Sequence, residues 1–340
     1  MKFPIDLSVY KQQVFTTARQ ELDTTEREQL LKNIEIVRDS IVFFTALANC
    51  KGLGGHTGGA YDLVPEALIL QGFMNGDDKY YPVLFDEAGH RVALQYIMAV
   101  LNEHADISTL LHYREFQKGL YGHPERDDDR GIFFSSGRLG HLWSHVNGVA
   151  EALRDKVVVM FGSDGSQMEG DDAEAARYAV ARNLNVKLLI DDNDVTIAGH
   201  PSSYMSGFEV AKTLEGHGLQ VNTGDGEDID ELYNRIRESL VADGPVALVN
   251  KRKMAIGVPG IEGLPKGHDV IPVDMAVSYL ESKGYADAVA LLKETGKPGG
   301  GEEYLGSTSE KAKCRDDFGK IVSEILGTMA KPEDSVLVLT

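Results

Sequence analysis

Two acidic stretches of this chain could do chemistry. Residues 161–170 read FGSDGSQMEG, and residues 188–199 read LLIDDNDVTIAG. Each is an apolar run that ends in a small, acidic turn. Asp164 and Asn193 stand 29 positions apart, a spacing that fits strand, turn, helix and strand. It puts both tips on one edge of a parallel sheet, where open α/β sheets bind their ligands. A carboxylate, an amide oxygen and a nearby carbonyl are hard oxygen donors suited to Mg²⁺ or Ca²⁺, and Mg²⁺ commonly completes its shell with phosphate oxygens. Gly162 and Gly165 let the backbone approach a ligand closely. Either cluster alone reads equally well as a helix cap or a turn. The pair, in successive strand–helix units, reads as a diphosphate held through a divalent ion.

The elements that must hold these tips follow from periodicity. KVVVMF and VKLLID are short apolar runs of buried-strand type, LQVNTG and PVALVN supply two further strands, and helical segments separate them: EAARYAVARN, VAKTLEGHG and DIDELYNRIRESLVA. This alternation predicts an α/β fold, a doubly wound, mainly parallel sheet with helices on both faces. Upstream, residues 21–49 predict a helix with Thr24 or Thr25 as N-cap. A glycine-dense turn, KGLGGHTGGA, and a second helix, DLVPEALILQGFM, follow it. Residues 294–308 are rich in Gly, Glu and Pro and read as a linker. A helix, SEKAKCRDDFGKIVSEILGTMA, and a strand, DSVLVLT, come after it. Three segments are therefore expected: 1–293 as the main domain, 294–308 as linker, and 309–340 as the opening of a second domain.

Composition narrows the class. The 340 residues are 42% hydrophobic and carry a net charge of −19, enough to form a large core. That charge argues against a general nucleic-acid binder, whose affinity comes from basic residues neutralising phosphates. It leaves a phosphorylated ligand open, because a metal ion can reverse the local field. Cys50 and Cys314 lie far apart without metal-ligand spacing and read as reduced thiols. The N-terminus has no apolar signal core, and no run reaches membrane-span length. A cytoplasmic protein without a membrane partner is expected. No G-x-G-x-x-G opens a strand–helix turn, so a dinucleotide site is not expected.

SDGSQMEG followed by DDNDVTIAG closely resembles the thiamine diphosphate motif in its transketolase form. Further stretches match in the same order. KGLGGHTGGA is similar to that family's first His-Pro-Gly segment, and FDEAGHRVALQYIM to its Asn-Gly-His-Ala helix. GHPERDDD and SSGRLGHLWSHVNGVA resemble its Gly-His-Pro-Glu and Thr-Thr-Gly-Pro-Leu-Gly segments. RKMAIGVPG and KGHDVIP resemble its Ile-Gly loop and a following histidine. Together they span residues 50 to 275, most of the chain.

The resemblance implies roles by position. Asp164, Asn193 and the carbonyl of Val195 would hold Mg²⁺ or Ca²⁺ on the diphosphate, with Gly165 beside it. Gly137 and Leu139 would line the cofactor, and Ile197 would pack against it. His56, His90 and His123 would face the reacting carbon and the substrate hydroxyls, and His268 the diphosphate and substrate. Histidine suits proton transfers to and from sugar hydroxyls near neutral pH. Glu169 resembles a glutamate in the carboxylate network between the two active sites of a homodimer. His141 could reach the cofactor edge. His104, His112, His200 and His217 read as structural or solvent-facing, and the run Glu125–Asp129 as a solvated loop.

The implied activity is transfer of a two-carbon ketol unit from a ketose to an aldose, both as sugar phosphates. A 2-oxoacid dehydrogenase or decarboxylase component, or a deoxyxylulose-phosphate synthase, would share the cofactor. A non-catalytic nucleotide-binding module is the alternative from another class. Ser163 stands for the first glycine of the motif, Thr57 and Arg138 for prolines, and Leu142 for glycine. These departures are expected to line the substrate side. In the family a second, pyrimidine-binding domain supplies the activating glutamate and the sugar-phosphate anchors. Residues 309–340 resemble only its first helix and strand, so that domain is expected further along in cis or as a second subunit in trans.

Overall fold

The five strands run in one direction, and their carboxyl ends share an edge. The computed structural model describes residues 2–296 and 314–329. A long helix α1 (Thr24–Cys50) is followed by α2 (Gly58–Asp62), α3 (Val64–Gly76), strand β1 (Tyr80–Asp86) and α4 (Val92–Leu101). Helix α5 (Leu142–Ala152) then leads into β2 (Val157–Ser163), α6 (Gly170–Arg182) and β3 (Val186–Asp192). After the single-turn α7 (Pro201–Tyr204) come α8 (Val210–Gly216), β4 (Gln220–Asp225), α9 (Ile229–Val241) and β5 (Val246–Lys251). Helices α10 (Val273–Ser282) and α11 (Ala286–Thr295) close this part. The strand order is β1-β2-β3-β5-β4, with every pairing parallel. The doubly wound α/β sheet is thus present.

Alternation along the strands divides the core, since successive side chains point to opposite faces. Val157, Val159, Phe161, Leu189 and Leu248 pack beneath α1, α3, α4 and α9 to α11. Val158, Met160, Leu188, Ile190 and Val249 pack against α5, α6 and α8 on the other face. Lys187 in β3 is fully buried, and its ammonium donates to the carbonyls of Ala242 at 2.8 Å and Gly244 at 2.7 Å. Burial lowers its pKa to about 8.

Three details differ from the sequence reading. β1 is an additional strand, YYPVLFD, and it lies at the sheet edge. Pro82 has no N–H to give to a central ladder, and the register shifts between Tyr80 and Leu84. FDEAGHRVALQYIM is not one helix: Phe85 and Asp86 finish β1, and α4 starts only at Val92. The cap of α1 is Asp23 rather than Thr24 or Thr25. Its carboxylate accepts from the Glu26 amide at 2.9 Å, and Glu26 accepts from the Asp23 amide at 3.1 Å. That reciprocal box satisfies two donors at once.

The chain divides into two compact units, residues 1–296 and 297–340. In the second, α12 (Cys314–Gly327) is a helix, within the helical segment expected there. Most of the expected linker 294–308, and the expected strand DSVLVLT, lie outside the described residues. No helix among the described residues is long and apolar enough to cross a membrane.

Candidate functional site

Strands β2 and β3 are adjacent and in register, with Ser163 opposite Asp191. The turns that follow therefore meet. The Asp164 amide donates to the Asp191 carbonyl at 3.2 Å, and Asp164 Oδ1 accepts from the Gly165 amide at 2.7 Å. Ser163 and Ser166 brace the turn, each hydroxyl accepting from the other residue's amide at 3.0 and 2.9 Å. Asp164 is 3% exposed, and its Oδ2 has no partner among the described residues. Burial first, then the charges of Asp191 and Asp192, push its pKa well up.

Asn193 is oriented by acceptors. Its Nδ2 donates to Asp62 Oδ2 and Asp191 Oδ2, both at 3.0 Å, and its Oδ1 accepts from the Val195 amide at 2.9 Å. Carboxylates only accept when ionised, so the amide nitrogen faces them and the oxygen faces the loop. Asp62 also caps the Ala255 amide at 2.7 Å. Arg252, fully buried, lies within 3.5 Å of Asp191 and pairs with Glu66. Arg91 holds Asp86 from Nη2 at 2.5 Å and donates to the Gly162 carbonyl at 3.0 Å.

This donor set fits a divalent cation carrying a diphosphate. Asp164 offers an orphaned buried oxygen, and Asn193 Oδ1 keeps a second lone pair. A Cβ on Gly165 would sit 3.2 Å from Thr196 Cγ2, so the cradle is narrow. Among the described residues no group of three or more His, Cys, Asp or Glu side chains is arranged to hold a metal. One carboxylate, one amide and one carbonyl need anionic oxygens from a ligand to complete a shell.

A cavity of about 280 Å³ opens over these tips. Asp164, Gly165, Asn193, Val195 and Ile197 line it together with Leu139. His56, His90, His123 and His268 line it as well. Ring centroids lie 4.9 Å apart for His56 and His90, 4.7 Å for His90 and His268, and 5.3 Å for His56 and His268. His56 Nδ1 lies 3.0 Å from the His268 carbonyl, and His90 Nδ1 lies 3.0 Å from the Ala88 carbonyl. A carbonyl can only accept, so both rings carry their proton on Nδ1 and leave Nε2 as a base. Burial lowers all three pKa values, and neighbouring imidazoles add to the shift, taking His268 to about 4. The rings are neutral near pH 7.

Gly137 does not line this cavity: it is exposed, with φ of +66°. His141 is also outside, with its imidazole 3.5 Å from Asp171. Glu169 is exposed beside Gly140, where a Cβ would collide with it. Of the departures from the family pattern, Ser163 lines the cavity and Arg138 is exposed. Thr57 and Leu142 are instead buried, away from the substrate side. The Thr57 amide donates to the Asp269 carbonyl at 3.2 Å, and its hydroxyl accepts from the Ile271 amide at 3.1 Å. Proline could make neither bond. Thr57 thereby clamps the His56 loop to the His268 loop.

Several buried charged groups near the site lie outside the sequence expectations. Arg91 lines the cavity; a charged residue inside the apolar run HRVALQYIM was the available signal. Glu87 and Asp172 are buried carboxyls joined through Gln167, which donates to Asp172 at 2.7 Å, and through Ser166, which donates to Glu87. Burial pushes both carboxyls up, and the neighbouring Glu87 adds to the rise at Asp172. Their sequence context, with no spacing rule linking positions 87 and 172, carries no signal.

Comparison with known proteins adds the remaining observations. The family model for the transketolase thiamine diphosphate binding domain matches residues 54–271. The chain is 28% identical over 275 residues to one of the subunits of an apulose-4-phosphate transketolase from Actinobacillus succinogenes, covering 75% of this chain and 97% of that protein. It is 28% identical over 204 residues to a transketolase of Staphylococcus aureus, but covers only 31% of that protein. The Campylobacter jejuni transketolase structure superposes with a TM-score of 0.63 at 19% identity, covering 90% of this chain and 49% of that one. A Pichia stipitis transketolase structure gives 0.62 at 20%, covering 47% of that chain. These two structures bear on the fold alone, and the chain spans about half of each.

Proposed function

This chain belongs to the transketolase family, and on that premise we propose that it supplies the diphosphate and metal half of a thiamine diphosphate site for two-carbon ketol transfer between sugar phosphates. One observation carries the reading: Asp164, Asn193 and Val195 share a single cavity with His56, His90, His123 and His268. Asp164, Asn193 and the Val195 carbonyl hold Mg²⁺ or Ca²⁺, and Gly165 runs beside the diphosphate. Leu139 and Ile197 would pack against the cofactor. Bound thiamine diphosphate supplies a carbon that stabilises the negative charge of the transferred fragment. His56 and His90, each with Nδ1 tied to a carbonyl, present Nε2 to sugar hydroxyl protons. His123 and His268 complete the wall that orients the substrate.

In this reading residues 1–293 form the diphosphate-binding domain, 294–308 a linker, and 309–340 the opening of the pyrimidine-binding domain. That second domain brings the activating glutamate, in cis or in trans. The Actinobacillus relative, itself one subunit of its enzyme, is matched over nearly its whole length, which favours a partner in trans. The complete enzyme is cytoplasmic and pairs two copies of the joined diphosphate and pyrimidine halves, and these 340 residues alone turn over no substrate.

Calorimetry tests the site directly. The chain is expected to bind thiamine diphosphate with Mg²⁺, to lose that binding with a chelator, and to lose it in Asp164→Ala with the fold retained by circular dichroism. Nucleotide binding without thiamine diphosphate binding would favour the nucleotide-module alternative and overturn the reading.

A further inference from the structure

A second cavity, of about 330 Å³, adjoins the first and shares His56 and His123 with it. Its other walls are Arg114, Tyr121, Gly122 and Glu125. We propose that Arg114 is an anion-binding residue at this outer cavity, a contact of this chain's own beside the anchors of the second domain, to the phosphate monoester of a sugar whose other end lies against His56 and His123. The identity of the sugar rests on the reading above; the anion site does not.

The loop that carries Arg114 is built to hold it. The Arg114 amide donates to the Leu120 carbonyl at 2.9 Å, and Tyr96 Oη donates to the Tyr121 carbonyl at 2.9 Å. Lys51 Nζ donates to the Leu111 carbonyl at 2.6 Å and pairs with Glu115, which also meets His112 at 2.7 Å. These neighbouring charges are therefore spent on one another. Arg114 is different: among the described residues its guanidinium has neither an ion pair nor a side-chain hydrogen bond. Its backbone sits at φ of +61°, in the left-handed region, which side chains adopt only when the surroundings enforce it.

The guanidinium also has a fixed seat. A Cβ at Gly122 would lie 2.9 to 3.1 Å from its Nη2, Cζ and Nε atoms, so the planar group rests on bare glycine backbone. Arg114 and His56 line the same cavity, and after burial, the main cause, the positive charge of Arg114 also lowers the proton affinity of His56. The acidic member of the cavity, Glu125, accepts from Ser135 Oγ at 3.0 Å. A planar five-donor fork, half-buried and unpaired beside polyol-facing imidazoles, matches a phosphate in geometry and charge.

Imidazole NMR of the full chain, with chelator present and no cofactor, tests this with inorganic phosphate as the probe. His56 and His123 signals should shift saturably with phosphate and not with chloride at equal ionic strength. Arg114→Ala should weaken the apparent affinity by about tenfold or more, and Arg114→Lys should restore part of it. An absent shift, or one unchanged in Arg114→Ala, overturns the anion site. A pentose phosphate should displace phosphate at concentrations where the free pentose does not; equal displacement overturns the assignment to a phosphate monoester. Because no cofactor is present, loss of thiamine diphosphate binding in the separate calorimetry leaves this result standing.

Discussion

Holding three imidazoles within 5.3 Å of one another makes the site sensitive to acid. An unfolded histidine takes up a proton near pH 6.5, whereas His268 in the folded chain does so near 4. Between those values the unfolded chain binds more protons, so stability is complete above about 6.5 and drains away as the pH falls towards 4. For His268 alone this amounts to at most about 3 kcal/mol, and His56 and His90 act in the same direction. Urea unfolding near pH 7 and near pH 5 checks it: the wild type should lose more stability on acidification than His268→Gln, and equal losses would refute the linkage. The residue types of this wall were legible in the sequence, because each histidine sits in a recognisable glycine-bearing segment. Its support was not. Thr57 read as a substrate-side change, yet its amide and hydroxyl bind Asp269 and Ile271, a bond pair between segments more than 200 positions apart. Local sequence has no means of encoding a partner that distant. Asp62 stayed hidden for a similar reason, its partners Asn193 and Ala255 lying far along the chain.

Elements set how accurately the tips meet. The strands of the sheet centre were legible because they are continuous apolar runs buried on both faces, and their parallel register brings Ser163 beside Asp191. β1 escaped because YYPVLFD mixes aromatics with a proline that normally demotes a strand. The demotion is physically correct: Pro82 belongs to an edge, where a missing N–H costs no central ladder bond and discourages pairing with another chain. At α1 the residues Asp23 and Thr25 each have a glutamate three residues on, Glu26 and Glu28, whereas Thr24 has Arg27, so the capping-box pattern alone does not choose between the first two. The box forms at Asp23. Asp23→Ala should therefore cost about 1 kcal/mol, read as a lower urea midpoint at unchanged slope, while Thr24→Ala should cost much less. Equal costs would mean the cap has moved. Because α1 packs under α3, α10 and α11 in the same core, a loosened start would also be felt by the loop after Cys50 that carries His56.

At the scale of the molecule, the proposed function makes the cavity half of a cleft. Ile197 lines it while 70% exposed, an apolar side chain turned to solvent at the point where the cofactor is proposed to pack. Burying such a side chain is worth about 1.5–3 kcal/mol, and that gain is available only when the cofactor and the pyrimidine-binding domain close over it. Thiamine diphosphate should accordingly bind this chain weakly and bind the complete enzyme much more tightly. Ile197→Ser separates the two contributions, since it changes neither metal donors nor imidazoles. In calorimetry with Mg²⁺ it should weaken cofactor binding to the complete enzyme by about tenfold or more, the equivalent of 1.4 kcal/mol or above. For the 340-residue chain alone the same change should have a smaller effect, because the cofactor by itself would cover only part of Ile197. A loss of the same size in both would show that Ile197 is already covered in the isolated chain, and that the second domain contributes nothing at this position.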